Sequence, residues 1–117
     1  MYAPEERKAV ETANTAPYNP QGQFRLESEG IVASMPNLNY TIIRPAVVYG
    51  LGDFRGLTSR MVMAAVYKKR KEKMKLLWNA KLKANTVHIN DLCRAIVHCR
   101  NMETGEVFNL VDDNATD

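Results

Sequence analysis

Apolar residues are densest between Tyr40 and Tyr49, where Tyr-Thr-Ile-Ile-Arg-Pro-Ala-Val-Val-Tyr has one charged position. Tyr40, Thr41, Ile42 and Ile43 are aromatic or β-branched, and Asn37 and Asn39 break the chain before them, so a strand is predicted here. The run is nearly continuous rather than alternating, which suits a strand covered on both faces. Pro45 has no N–H to donate and biases Arg44 toward extended backbone, so pairing is expected to stop there and Pro45–Tyr49 to form a loop. Gly50 and Gly52 then mark a sharp turn or a close backbone approach. Such a strand and loop can form the ligand-facing edge of an open α/β sheet. They can equally be a core strand with its exit turn, and spacing alone favours that reading.

Periodicity changes to helical on either side. Phe24, Ile31 and Val32, with Leu26 or Ser28, give a stripe over 22–35, and Pro36 ends it. A second helix is expected over 58–70, with Thr58 or Ser59 as cap and Met61, Met63, Val66 and Tyr67 as core. The clearest helix covers 90–101. Asn90 is its expected N-cap, Asp91 and Arg100 complement the two ends of its dipole, and Leu92, Ala95, Ile96 and Cys99 form its stripe. Short strands are expected at 74–78, 86–89 and 106–111, with a polar hairpin or loop at 79–85. Residues 2–20 are polar and proline-marked, with a weak helical pattern over 5–13. The fold class is therefore α/β.

Composition adds little. The chain has 117 residues, 45% hydrophobic and 25% charged, within the range of an ordinary globular domain. No apolar run approaches the ~18–20 residues of a membrane span, and the charged N-terminus lacks a signal-like apolar segment, so a cytoplasmic location with no membrane partner is expected. The net charge is +3, and its basic excess lies in Lys68–Lys75. That run, without interleaved aromatics, reads as the solvated end of a helix, and nucleic acid is not favoured as a partner. Cys93 and Cys99 match neither a redox pair nor a zinc knuckle and are expected to be reduced and half-buried. No metal site is expected.

Two segments carry a resemblance. Arg44-Pro-Ala-Val-Val-Tyr-Gly-Leu-Gly-Asp53 resembles the RPxxVYGxGD segment of the extended short-chain dehydrogenase/reductases, the NAD-dependent epimerase/dehydratase family. Downstream, Asn85-Thr-Val-His-Ile-Asn-Asp-Leu-Cys-Arg-Ala-Ile96 is similar to that family's VHVxDxxRAI segment. The resemblance covers about Tyr2 to Asp113 and matches the later part of the family's fold. It implies a partial epimerase/dehydratase-like domain over 1–117: the C-terminal portion of a Rossmann-like NAD(P)-binding fold plus a small substrate lobe, lacking the glycine-rich first half.

The same resemblance implies site residues. Arg44, Pro45, Val48 and Tyr49 would lie on the cofactor side, beside the nicotinamide of NAD or NADP. Lys83, His88 and Asp91 would fall toward the substrate lobe. Lys81 and Lys83 lie near, but not at, the family's usual basic position for a nucleotide-sugar. In the family, the helix that corresponds to 22–35 carries a Tyr-x-x-x-Lys pair, in which the Tyr is the general acid/base and the Lys lowers its pKa and holds the ribose. One register here puts Gln21 at the Tyr position and Arg25 at the Lys position; shifting it recovers Tyr18 and loses the Lys. Gln cannot exchange a proton in this role, and Arg holds its charge in a different geometry. Read from its residues alone, His88 between apolar neighbours is expected to be a hydrogen-bonded structural residue.

The six glycines, 22, 30, 50, 52, 56 and 105, form neither GxxGxxG nor GxGxxG, so the glycine-rich pyrophosphate cradle is not in this sequence. The chain is accordingly expected to be a fragment or truncated member of the family. The parent activity would be NAD(P)-dependent oxidoreduction or epimerisation of a sugar-like or carbonyl small molecule. The alternative is a catalytically inactive interaction or regulatory domain. Either way the chain alone is expected to be inactive, and self-association is a natural outcome for a sheet that lacks cover.

Overall fold

The computed structural model describes residues 11–76, 84–102 and 105–112. The first helix, α1 (Pro20–Ser34), starts two residues before the periodicity predicted. Asn19 explains the shift: its Oδ1 accepts the N–H of Gly22 at 2.7 Å, and Pro20 supplies the preset φ of a first helical residue. Helix α2 (Leu57–Lys69) comes next among the helices. It closes in a Schellman pair: the Glu72 N–H bonds the Tyr67 carbonyl and the Lys71 N–H bonds the Lys68 carbonyl. Lys71, at φ 57°, holds the left-handed position that glycine usually fills. Helix α3 (Ile89–Cys99) begins one residue before the expected Asn90 cap, leaving Arg100 beyond its end.

Strand β1 (Thr41–Pro45) pairs with β4 (Glu106–Leu110). The Gly105 N–H bonds the Tyr40 carbonyl at 2.8 Å and the Ala46 N–H bonds the Leu110 carbonyl at 2.9 Å. Beginning meets beginning and end meets end, so the two strands run parallel, which the long connection between them permits. Strand β2 (Val47–Tyr49) pairs in parallel with β3 (Thr86–His88), in the register Val47 to Thr86, Val48 to Val87 and Tyr49 to His88. The architecture is thus mixed α/β with parallel strand pairs.

The presence of β2 corrects the expected loop over Pro45–Tyr49. Pro45 does end β1, but one residue later Val47, Val48 and Tyr49, two β-branched residues and an aromatic, pair with a different strand. No strand forms at Met74–Leu76; Trp78 and the polar loop at 79–83 lie outside the described residues. Of the proposed N-terminal helix at 5–13, only 11–13 is described, and it is a turn and bend.

The chain divides into two compact units. One comprises the chain up to Arg44 with Cys99–Asn109; the other comprises Pro45–His98 and the chain from Leu110. In the first, β1 is half-buried along most of its length rather than fully covered. In the second, Val87, at the centre of β3, is 1% exposed and is the fully buried apolar side chain among the described residues. Here the expectation of an apolar core on α2 fails: Met61, Met63 and Val66 are half or more exposed, and Tyr67 alone of the four is half-buried. Helix α2 packs on β2, and a three-residue strand cannot cover a thirteen-residue helix. On α3, Leu92, Ala95 and Cys99 are half-buried, but Ile96 and Cys93 are exposed.

Candidate functional site

The carboxyl ends of β2 and β3 bring three polar side chains together. Tyr49 and His88 end their strands side by side, rings edge-on with centroids 5.2 Å apart. Asp112, just past β4, reaches both strands. One carboxylate oxygen accepts the His88 backbone N–H and the other the Thr86 hydroxyl, each at 3.2 Å, while the Asp112 N–H donates to the Thr86 carbonyl at 2.8 Å. Burial lifts the Tyr49 phenol above its ordinary pKa; the charge of Asp112, its hydrogen bond with the phenol and the charge of Asp91 push the same way. Tyr49 is therefore a protonated donor at neutral pH rather than a base.

His88 is engaged on its ring as well as its backbone. Its Nδ1 accepts the Asn90 N–H at 3.2 Å, so the residue preceding α3 satisfies that helix's second N–H. This bond needs Nδ1 unprotonated and leaves the ring proton on Nε2. The hydrogen bond expected for His88 is thus present. The ring lies against Gly50, whose φ is +124°; a Cβ at that position would sit 2.9 Å from His88 Nε2 and 2.7 Å from Ile89 Cγ2. The glycine lets the turn approach the histidine.

The turn itself is closed by Asp53. Its carboxylate accepts the N–H of Gly56 at 2.6 Å and of Thr58 at 2.8 Å, while the Thr58 hydroxyl accepts the Gly50 N–H at 2.9 Å. The bond from Thr58 is the chief reason the Asp53 carboxyl titrates below its ordinary range. The N-terminus of α2 thus already holds an anion, supplied by the chain itself. In each of the three described helices a side chain of the chain itself accepts an N-terminal N–H: the Asn19 amide for α1, the Asp53 carboxylate for α2 and the His88 imidazole for α3.

Arg44 belongs to the other unit and has a different environment. Its Nη2 and Nε meet both carboxylate oxygens of Glu29, on α1, at 2.6–3.2 Å, and the two side chains are 15% and 17% exposed. Its Nη1 donates to the Glu11 carbonyl at 3.4 Å, and the Glu11 side chain accepts the Asn109 N–H of β4 at 2.9 Å. That backbone bond is the main cause of a lowered Glu11 pKa. Arg44 therefore ties α1, β1 and the N-terminal segment together.

The remaining sequence-predicted residues are dispersed. Tyr18 is 88% exposed ahead of the Asn19 cap. Gln21 and Arg25 occupy the first turns of α1 and are exposed. Pro45 closes β1 in an exposed position, and Val48 is half-buried opposite Val87. Asp91 is half-buried and pairs with Arg94 one helical turn on. Lys83 lies outside the described residues. Asp112 and Glu29 escaped the sequence reading: their partners are 24 and 15 residues away, at no motif spacing.

Among the described residues, no group of three His, Cys, Asp or Glu side chains could hold a metal ion, and no helix is long and apolar enough to cross a membrane. Comparison with curated proteins and with solved structures yields no match. A family model described as the NAD dependent epimerase/dehydratase family matches residues 1–110, and the chain belongs to that family.

Proposed function

We propose that the parent activity of this chain is cytoplasmic NAD(P)-dependent oxidoreduction or epimerisation of a sugar-like or carbonyl substrate, and that the polypeptide by itself does not perform it. Family membership supports the first half. The second half rests on one observation: the N-termini of the three described helices are filled by the chain's own side chains, Asn19, Asp53 and His88. A dinucleotide pyrophosphate needs open backbone N–H groups at such a position. None of these three fits it, and the glycine pattern that builds an open one does not occur in the sequence. The family resemblance would put a nicotinamide or substrate beside the Pro45–Tyr49 segment, whose carboxyl end carries Tyr49 next to His88 and Asp112. The cradle would have to come from a glycine-rich strand–turn–helix supplied elsewhere.

A second reading, a catalytically silent interaction domain, is favoured by the exposed apolar residues of α2. Calorimetry with NAD and NADP, together with absorbance assays for reduced cofactor using sugar-nucleotides and simple carbonyls, separates the cases. No binding and no turnover are expected. Micromolar cofactor binding, or turnover lost in Tyr18→Phe, would overturn the inactive-chain reading. Turnover restored by adding a separate glycine-rich half would favour the first reading over the silent domain.

A further inference from the structure

The segment from Leu51 to Leu76 joins two features that the cluster at Tyr49, His88 and Asp112 does not use. Its first part displays apolar side chains to solvent. Leu51 and Phe54 are 95% and 85% exposed in the turn before α2, and Val62, Met63 and Val66 are half or more exposed on the helix. At 3.6 residues per turn, Val62, Met63, Val66 and Lys69 fall within an arc of roughly 120°. Its second part is cationic: Lys68, Lys69, Arg70, Lys71, Lys73 and Lys75 stand against one carboxylate, Glu72, and are all exposed. Glu72 pairs with Arg70, leaving the five lysines to set the local charge. The rest of the chain is net negative, so this positive field is local.

From this juxtaposition we infer that α2 and the lysine-rich stretch after it dock on an anionic lipid surface, with Phe54, Val62, Met63 and Val66 toward the acyl boundary and the lysines among the headgroups. The helix lies in the interface plane and spans nothing, so it does not matter that no helix among the described residues can cross a membrane. Charge selects the occupant. A second copy of this chain would bring the same positive stretch. Nucleic acid would satisfy the lysines but leave the apolar arc without a partner, and the stretch has no aromatic residue on which bases could stack. Lysine ammoniums on flexible stems suit a fluid anionic layer, since they need no fixed bidentate geometry and their stems can lie along apolar surface.

The test is co-sedimentation of the full chain with vesicles of phosphatidylcholine containing about one-third phosphatidylserine, against phosphatidylcholine alone, at near-physiological salt. Binding to the anionic vesicles only is expected. Lys69→Gln with Lys73→Gln should weaken it about 25-fold, about five-fold per cation. Val62→Ser with Val66→Ser should also weaken it while leaving its salt dependence in place. A tryptophan introduced as Val62→Trp should shift its emission to the blue on the vesicles. Far-UV circular dichroism checks that each variant folds, which exposed positions allow. Equal binding to neutral vesicles, or none to either, overturns the inference. So does salt-sensitive binding to a short DNA duplex without vesicle binding, or a dimer abolished by the two serines without vesicle binding.

Discussion

Arg44 and Glu29 form a bidentate, largely buried ion pair, with the Arg44 Nη2 2.6 Å from a Glu29 carboxylate oxygen. Planar guanidinium matches planar carboxylate, and neither is well hydrated, so removing one partner leaves a charge poorly compensated. We expect Arg44→Ala or Glu29→Ala to destabilise the chain by roughly 2–4 kcal/mol, and Arg44→Lys to recover only part of the loss. Urea unfolding of the single and double variants measures this. Additive losses in a double-mutant cycle would show that the two residues are not coupled.

The phenol of Tyr49 offers a spectroscopic check of the cluster at the strand ends. Its pKa is raised by burial first and by Asp112 and Asp91 next. A raised folded-state value means that its contribution to stability is complete below the unfolded pKa and is lost as pH rises through the folded one. One tyrosine, absent from the titration of Tyr49→Phe, should therefore ionise on the alkaline side of an ordinary phenol. In Asp112→Asn it should move back toward the ordinary value, since both the charge and its hydrogen bond change.

Asp53 should act at the opposite end of the pH scale. Its pKa is lowered chiefly by the Thr58 N–H, so the stability it contributes is present above the unfolded carboxyl pKa and is lost as pH falls through the folded value. Melting curves followed downward from neutral pH should fall more gently in Asp53→Asn than in the parent. Identical slopes would mean that this carboxylate is not the anion that closes α2.

Gly50→Ala tests the approach of the turn to His88. A Cβ would be placed 2.7 Å from Ile89 Cγ2 and 2.9 Å from His88 Nε2, at a φ of +124° that a side chain disfavours. A loss of about 2–3 kcal/mol is expected, with a changed imidazole chemical shift reporting displacement of the His88 ring.

Lys71→Gly should do the reverse. Lys71 holds φ 57° at the position after the α2 cap, where a side chain costs energy that glycine avoids. A gain of about 0.5–1 kcal/mol is expected from denaturant midpoints.

Much of this fold could be read from local chemistry. Pro36 and the Gly22–Met35 stripe located α1 to within two residues, and strands were legible where β1 and β4 form. Strand β2 was hidden because Pro45 and Gly50 flank only three pairing residues, too few for periodicity to register. The α2 core failed for another reason: periodicity reports which residues could be buried, whereas burial needs a partner surface, and β2 offers little. At the candidate site, His88 was visible as a hydrogen-bonded residue, but its carboxylate was not. Asp112 meets it across 24 residues of sequence, a distance that carries no motif.

Ala46 separates the two strand pairs by a single residue, and its amide bonds the Leu110 carbonyl while the next amide, of Val47, bonds that of Asn85. Successive amides of extended backbone point to opposite edges, so the chain here obeys a parity. Inserting or deleting one residue between Pro45 and Val47 would send each amide to the wrong neighbour and turn Val48 away from Val87. A change of two would restore both. Length variation at this point should therefore be tolerated, if at all, only in even steps, however freely the side chain at position 46 is varied.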